Sequence, residues 1–476
     1  VILATGTYLG GRVHVGLVNF PSGPLGQMPA SDLTESLVRA GFETGRLKTG
    51  TTPRIHAASV DWARLVPQES SPEPLAFSHW GIPRVHSGHA CYQTRTTPRT
   101  HDIIRGALDR SPLFTGAIEG VGPRYCPSIE DRVVRFPDRD GHIVFLEPVG
   151  GQTAEIYMQN FSTSLPFDTQ VEMVRSLPGC ENARFLRPGY AIEYDYMPPT
   201  QLYPSLETRL VEGLFCAGQI NGTSGYEEAA AQGILAGINA ARKLKGQEPV
   251  VLGRGEAYMG VLVDDLVTKG TQEPYRMFTS RCEHRLVMRH DNADRRLAPL
   301  GRELGLVDDA RWEALQDRWE ALDAERIRLG ALRVFPTAEN NARLAEAGTV
   351  PLEEPVPATD LLKRPEVGWD LLQVLLDEPS AMTAEETATL TTEIKYAGYI
   401  EREVRSVERL GRMDKVKVPE GFDYGSVTGL SAESRVKLSQ ARPLNLGQAG
   451  RISGVTPADV QILWVAVKAF HGKAAE

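Results

Sequence analysis

The chain is 476 residues long, 41% hydrophobic and 24% charged; at about 150 residues per domain it reads as roughly three domains, which excludes a single small binding module. No apolar run reaches the roughly 18 residues needed to cross a bilayer, so a soluble, packed protein with no membrane role is expected. Lysine plus arginine number 52 against 61 acids, a formal net charge of -9, which argues against indiscriminate coating of nucleic acid and leaves a polyanion only a local basic patch to meet.

The first six residues, Val1-Ile2-Leu3-Ala4-Thr5-Gly6, read as an apolar strand running into a glycine turn. A strand of that kind at the end of a chain would be an uncovered edge, so the natural chain is expected to begin earlier. Residues 1–48 add glycine-rich turns and a predicted helix over 32–40. Residues 49–186 carry short strands, such as 142–146 and 155–158, between prolines and turns, and read as a β-rich insertion. In residues 187–246 an apolar strand over 214–217 feeds a glycine-rich loop and a predicted helix over 227–243.

Residues 247–390 are helical in character. Trp312, Leu315, Trp319 and Leu322 recur at steps of three and four, the mark of an amphipathic helix whose tryptophans pack in a core. Pro336, Pro351, Pro355 and Pro357 break the pattern and predict a linker or long loop. Residues 391–476 form a last helical unit, in which Thr456 and Pro457 supply an N-cap and a first helical position.

Chemistry concentrates in three stretches. In the first, Gly218, Gln219, Gly222 and Gly225 stand where a strand ends and a helix begins. Free backbone N–H groups and the positive end of a helix dipole there can hold phosphate oxygens without a clashing side chain. Gly233 and Gly237, with Ala229 and Ala236, leave a smooth face for packing on a sheet or a cofactor. An extended dinucleotide suits this geometry; a plain chain reversal is the simpler reading of such glycines. The Ala-Thr-Gly strand ending at Gly6 favours the dinucleotide, although no G-x-G-x-x-G fingerprint occurs in the 476 residues.

The second stretch is Gly120-Val121-Gly122-Pro123-Arg124-Tyr125-Cys126-Pro127-Ser128-Ile129-Glu130-Asp131-Arg132-Val133-Val134-Arg135-Phe136. Arg124, Arg132 and Arg135 near Cys126 would lower its thiol pKa and make a nucleophilic thiolate more available. A structural cysteine in a loop is the plain alternative. The five cysteines include no C-x-x-C pair, which points to a reducing, cytoplasmic setting. His86, His89 and Cys91, and Cys282, Glu283, His284, His290 and Asp291, lack a standard ligand spacing, so no metal is expected.

In the third stretch, residues 276–296, six arginines stand against Glu283, Asp291 and Asp294, a local charge of about +3. Arg281, Arg285 and Arg289 are spaced by four, so on a helix they would form one stripe suited to phosphate backbones. A solvated helix face paired to acids is the alternative. A smaller basic run over 402–417, with Arg435, Lys437, Arg442 and Arg451, offers a second contact surface.

Taken together, these stretches resemble the MnmG/GidA family of FAD-dependent tRNA uridine 5-carboxymethylaminomethyl modification enzymes. The resemblance rests on Gly45-Arg46-Leu47-Lys48-Thr49-Gly50-Thr51 with Pro53-Arg54, on residues 120–136, on the run from Ala217 through Gly225 to Glu228, and on Gly260 to Asp265. It continues through Glu273-Pro274-Tyr275-Arg276-Met277-Phe278-Thr279-Ser280 and Gly447 to Pro457, in family order over nearly the whole chain.

The resemblance implies an α/β FAD-binding fold of glutathione-reductase type, incomplete here, made of residues 1–48 and 187–246. A β-rich insertion domain (49–186), a helical domain (247–390) and a C-terminal helical subdomain (391–476) complete the all-α remainder. It implies a homodimer that works with the GTPase MnmE on the wobble uridine of tRNA, using FAD, NADH and methylene-tetrahydrofolate as carbon donor. In its terms Gly6, Gly218, Gln219, Gly222 and Gly225 approach FAD and residues 122–136 contact the nicotinamide cofactor. Cys126 is the proposed catalytic residue, Arg276 and Arg285 (with Arg281 and Arg289 beside them) bind tRNA, and the C-terminal unit meets the GTPase. Family members commonly have lysine at Arg132 and proline at Thr52, and carry fingerprint glycines and a second functional cysteine in a portion preceding Val1. A folate- and FAD-dependent tRNA uridine methyltransferase is the nearest rival, disfavoured by the long helical tail; a non-catalytic tRNA-binding scaffold is the rival from another class.

Overall fold

A computed structural model describes residues 1–69, 90–124 and 127–474. The chain divides into two compact units, residues 1–250 with 270–277, and residues 251–269 with 278–476. The expected division into an α/β part followed by a helical part is the one found.

The first unit contains twelve named strands among the described residues. In chain order they are β1 (Ile2–Leu3), β2 (Arg12–Val15), β3 (Val18–Pro21), β4 (Gly45–Thr51), β5 (Arg54–His56) and β6 (Val66–Gln68), then β7 (Cys91–Arg95), β8 (Ile143–Pro148), β9 (Glu155–Gln159), β10 (Phe185–Arg187), β11 (Tyr190–Tyr196) and β12 (Phe215–Cys216). Five helices accompany them: α1 (Ser31–Arg39), α2 (Pro98–Arg105), α3 (Ile129–Arg135), α4 (Phe167–Arg175) and α5 (Tyr226–Leu244).

Three sheets result. The four-stranded antiparallel sheet has the order β3-β2-β11-β4, with β11 and β4 paired over their full length from Tyr190 opposite Thr51 to Tyr196 opposite Gly45. The six-stranded sheet has the order β10-β5-β9-β8-β7-β6. Its strands alternate as a one-face-buried sheet should: Val144, Leu146, Ile156 and Met158 are buried, and Ile104 of α2, Ile129 and Val133 of α3 and Met173 and Val174 of α4 join them in one core. The segment read as β-rich is therefore mixed α/β. Its helices are short and locally started, α2 by a capping box on Thr97 with Pro98 in its first turn. In the third sheet β1 lies parallel to β12 alone.

The second unit is helical apart from a two-residue strand pair. Its helices are α6 (Tyr258–Lys269), α7 (Ala293–Glu303), α8 (Asp309–Ala331), α9 (Ala338–Glu346), α10 (Ala358–Leu362) and α11 (Trp369–Leu376), then α12 (Ala384–Lys395), α13 (Ala397–Asp414), α14 (Ala432–Ala441), α15 (Leu446–Arg451) and α16 (Pro457–Ala474). The pair is β13 (Arg333–Val334) with β14 (Val356–Pro357). Leu322 and Leu329 of α8 enter a core with residues of α9 to α12, and residues 418–467 build a second one around Tyr424, Leu438, Leu446 and Leu463. Trp312 and Trp319 meet edge to face at 5.6 Å, half-buried on α8 rather than at the centre of a core. The prolines from 336 to 357 enclose α9 and β14 where a loop was expected, because Thr337 caps α9 and each proline falls outside the helix. At the start of α16 Thr456 Oγ1 accepts from the Asp459 amide, as its N-cap position requires.

Candidate functional site

The chain's first strand meets the glycine loop directly. Leu3 is in register with Cys216, and the Ala217 amide donates to the Leu3 carbonyl at 2.9 Å. Both segments then turn through left-handed glycines, Gly6 (φ 55°) and Gly218 (φ 86°), a conformation that costs side-chain-bearing residues most. A methyl group on Gly6 would lie 3.5 Å from Oε1 of Gln219, so the two turns stand against each other. Gly218 opens a 3-10 turn (Gly218–Asn221) that ends at Gly222, also left-handed.

A side chain that sequence reasoning passed over holds this loop. Gln232, buried on α5, accepts from the Gly218 amide at 3.2 Å and from Asn221 Nδ2 at 2.8 Å, and donates to Thr223 Oγ1 at 3.0 Å. The buried face of α5 holds Glu228, Gln232, Leu235, Ala236 and Asn239, three of them polar. Polar residues at the core positions of an amphipathic helix were the available signal. The Gly233 and Gly237 face is not packed on a sheet: an added methyl group at either would meet nothing within 4 Å.

The loop also carries the arginine segment with it. Tyr275 donates its amide to the Gly222 carbonyl at 2.8 Å, and the Ser224 amide donates to the Tyr275 carbonyl at 3.1 Å. The Met277 amide donates to Glu228 Oε1 at 2.7 Å, and Arg276 Nε lies 3.5 Å from the same oxygen. Gly225 has no room for a side chain, since Glu228 occupies the place of its Cβ and Arg276 Nε would be 3.1 Å away. Arg276 and the glycine loop, distant in sequence, thus form one hydrogen-bonded piece.

Among the described residues Thr5 Oγ1 and Asn221 Oδ1 at this corner are buried without a hydrogen-bond partner, the state of groups available to a ligand. With the bare turns at Gly6 and Gly218 they fit a planar polar ring such as isoalloxazine; the amides of Gly218, Gly222 and Ser224, expected to be free for phosphate, are instead donated to Gln232 Oε1 and to the Gln219 and Tyr275 carbonyls.

The second stretch lies against the four-stranded sheet. Glu193 on β11 accepts the amides of Glu119 and Gly120 at 2.9 and 2.7 Å, and His14 on β2 at 2.8 Å. Burial would raise this carboxyl, but the His14 bond, the Gly120 amide, Arg46 and the Glu119 amide outweigh it and hold it down to about 2. The Lys48 amide donates to the Val121 carbonyl at 2.9 Å, and the Lys48 side chain passes Gly122. Pro123 is half-buried and Arg124 exposed, and Pro127 is half-buried; Tyr125 and Cys126 lie outside the described residues.

Ser128 caps α3 by accepting from the Asp131 amide. Ile129, Glu130 and Val133 face inward, Glu130 accepting from Ser164 amide and hydroxyl at 3.0 Å each. Val134 and Phe136 face outward, and Arg135 is paired with Asp131 at 2.9 Å. Arg132 stands near His142, which burial pushes down to about 4 with help from His101 and then Arg132.

The expected arginine helix is not there. Residues 282–292 form turns between a 3-10 turn (Thr279–Arg281) and α7, so Arg281, Arg285 and Arg289 do not share a helical stripe. Glu403 of α13 takes the amides of Leu286 and Val287 at 3.1 and 3.3 Å, donors that a helix would need for itself. Arg289 is held by Asp291 at 2.9 Å, with Glu393 at 3.7 Å. Arg285 is exposed.

Of the described cysteines, Cys180 and Cys216 are buried and their thiols are pushed up to about 12 by burial; burial also raises Cys91 and Cys282. Among the described residues no three His, Cys, Asp or Glu side chains are grouped to hold a metal ion; His86 and His89 lie outside them. No described helix is long and apolar enough to cross a membrane.

Family profiles match in three places: glucose inhibited division protein A over residues 1–248, the C-terminal helical domain of the tRNA modifying enzyme MnmG/GidA over 309–404, and its C-terminal helical bundle over 406–476. The tRNA uridine 5-carboxymethylaminomethyl modification enzyme MnmG of Exiguobacterium sibiricum is 49% identical over 468 residues, 98% of this chain and 74% of that protein. The Bacillus subtilis enzyme of the same name is 48% identical over 465 residues, again 98% and 74%. A crystal structure of Aquifex aeolicus GidA superposes with a TM-score of 0.87 at 40% identity, covering 98% of this chain and 74% of that one. The chain thus spans about three quarters of the length of these relatives.

Proposed function

The chain belongs to the MnmG/GidA family of tRNA-modifying enzymes, and from that premise we propose that it installs a (carboxymethyl)aminomethyl-type group on carbon 5 of the wobble uridine of tRNA, with FAD, NADH and methylene-tetrahydrofolate. In this reading it acts in the cytoplasm as a homodimer with the GTPase MnmE. The observation that carries it is the docking of Tyr275 to Met277 on the loop from Gly222 to Glu228, which joins a glycine-lined corner to an arginine.

We assign residues 1–48 and 187–246 to the FAD-binding domain and 49–186 to the insertion that meets the nicotinamide cofactor through residues 122–136. The helical remainder, 247–390 and 391–476, carries tRNA contacts and the GTPase-facing end. Flavin and reduced nicotinamide supply hydride chemistry when bound. Gly6, Gly218, Gln219, Gly222 and Gly225 form the flavin-side wall, with Thr5 Oγ1 and Asn221 Oδ1 as ligand-facing polar atoms. Glu193 positions the nicotinamide-side loop through the amides of Glu119 and Gly120. Arg276, Arg281 and Arg285 are the tRNA contacts; Arg289 stays with Asp291.

Uridine carbon 5 is a weak nucleophile until an electron pair is supplied at carbon 6. Cys126 is the thiol assigned to that step: its thiolate would add at carbon 6 and make carbon 5 nucleophilic toward the folate-derived methylene, and would leave again once the folate nitrogen has been displaced by the amine and the carbon 5 proton lost. What supports this assignment is the family match over residues 1–248, the stretch that contains Cys126. Cys126→Ser is expected to abolish tRNA modification with flavin binding unchanged; retained turnover would remove Cys126 from the chemistry.

A further inference from the structure

A helical arginine stripe of the kind sought at Arg281 to Arg289 occurs elsewhere in the same unit. On α13, Arg402, Arg405, Arg409 and Arg412 follow one another at steps of three, four and three, and all are exposed. They share one face and span about 15 Å at ~1.5 Å per residue. Glu401 pairs with Arg405 at 2.7 Å across solvent, a contact that water and salt weaken. Arg409 and Arg412 have no ion-pair partner among the described residues. Arg402 lies 4.8 Å over the ring of Tyr399, itself 57% exposed.

This face does not hold the helix in place. Glu403 binds the amides of Leu286 and Val287, Val407 packs against Gly255, and Met413 borders the C-terminal core. None of the side chains of α13 is fully buried. A long helix with little burial and four arginines on one face, two of them without a described acid partner, is unfavourable for a face that meets only water, because like charges three and four residues apart repel.

We infer that the Arg402, Arg405, Arg409 and Arg412 face of α13 is a docking surface for the phosphate backbone of an RNA. Arginine forks bind phosphate in two places at once, and a half-exposed tyrosine at the edge offers a stacking plane for an unpaired base. The face has no apolar centre of the kind protein interfaces use. The inference rests on the tRNA reading above and adds a site to it.

The test uses the whole chain and an unmodified tRNA transcript carrying a wobble uridine, followed by fluorescence anisotropy over a range of salt concentrations. Arg409→Glu with Arg412→Glu should lower affinity at least tenfold at low salt and make the salt dependence shallower, each lost phosphate contact removing about 0.7 to 0.9 from the slope. Arg39→Glu, an exposed arginine of the other unit, serves as the charge control and should change neither quantity. Unchanged affinity and slope in the double variant would overturn the inference. So would loss of co-elution with the GTPase at full tRNA affinity, which would make the face a protein contact. Wild-type chain that binds no tRNA would overturn the tRNA reading itself, and is distinguishable because it appears before any substitution is made.

Discussion

His14 Nε2 and Glu193 Oε2 lie 2.8 Å apart inside the four-stranded sheet, both side chains sealed from solvent. The pair joins β2 to β11, and the other carboxylate oxygen carries the amides of Glu119 and Gly120. A buried carboxylate with several donors is costly to disturb, because each donor is left unsatisfied. Glu193→Gln should cost about 2–4 kcal/mol and release the 119–124 loop, seen as faster amide exchange at Gly120. The carboxyl is held below its ordinary value of 4.5, so its contribution is complete above that value and lost as pH falls toward about 2. Thermal stability of the wild type should therefore drop between these limits more steeply than that of Glu193→Gln; parallel curves would contradict the assignment.

A second buried network ties the C-terminal bundle to α6. Arg451 reaches Asp264 with two bonds of 2.6 and 2.9 Å, and Arg254 bridges Asp265 at 2.8 Å and Glu283 at 2.8 Å. Arg451→Ala would leave Asp264 buried with Arg254 alone. The expected cost is about 3–5 kcal/mol, read as early proteolysis around residues 446–474. Resistance equal to that of the wild type would show that the pair contributes little.

Gly222 is one of the points where the glycine loop and the arginine segment meet. Its φ is 79°, and a methyl group there would stand 2.6 Å from Thr271 Cγ2 and 3.2 Å from Tyr196. Gly222→Ala should lose about 2–3 kcal/mol and, because Tyr275 donates to the Gly222 carbonyl, weaken tRNA binding as well. A variant less stable yet equal in tRNA affinity would separate the loop from the arginine.

Thiol reactivity gives an independent check. At pH 8 the native protein should leave Cys180 and Cys216 unlabelled by an alkylating reagent, since burial pushes both thiols up to about 12. Peptide mapping should find Cys126 labelled first. Labelling of Cys91 or Cys282 ahead of it would contradict its role as the available thiolate.

Much of the fold was legible where the signal is local. The helix over 226–244, the cap at Thr456 and the leucine row of α8 follow from spacing and end residues alone. The turns over 282–292 were not, because a carboxylate from Glu403, more than a hundred residues on, takes the amides that a helix would use. The helices of residues 90–135 were hidden by short length and flanking prolines. At the site, the glycines announced themselves through backbone freedom, whereas Gln232 and Glu228 act through partners that only the folded chain supplies.

The most direct test is an FAD titration of the chain, followed by flavin fluorescence, for the wild type and Gln219→Ala. Gln219 stands against Gly6 where the two glycine turns meet. If that corner faces the flavin, the wild type should take up FAD, and removing one hydrogen-bonding side chain should weaken uptake about tenfold. A wild-type chain that leaves FAD free, or a variant that binds it equally well, would contradict the account.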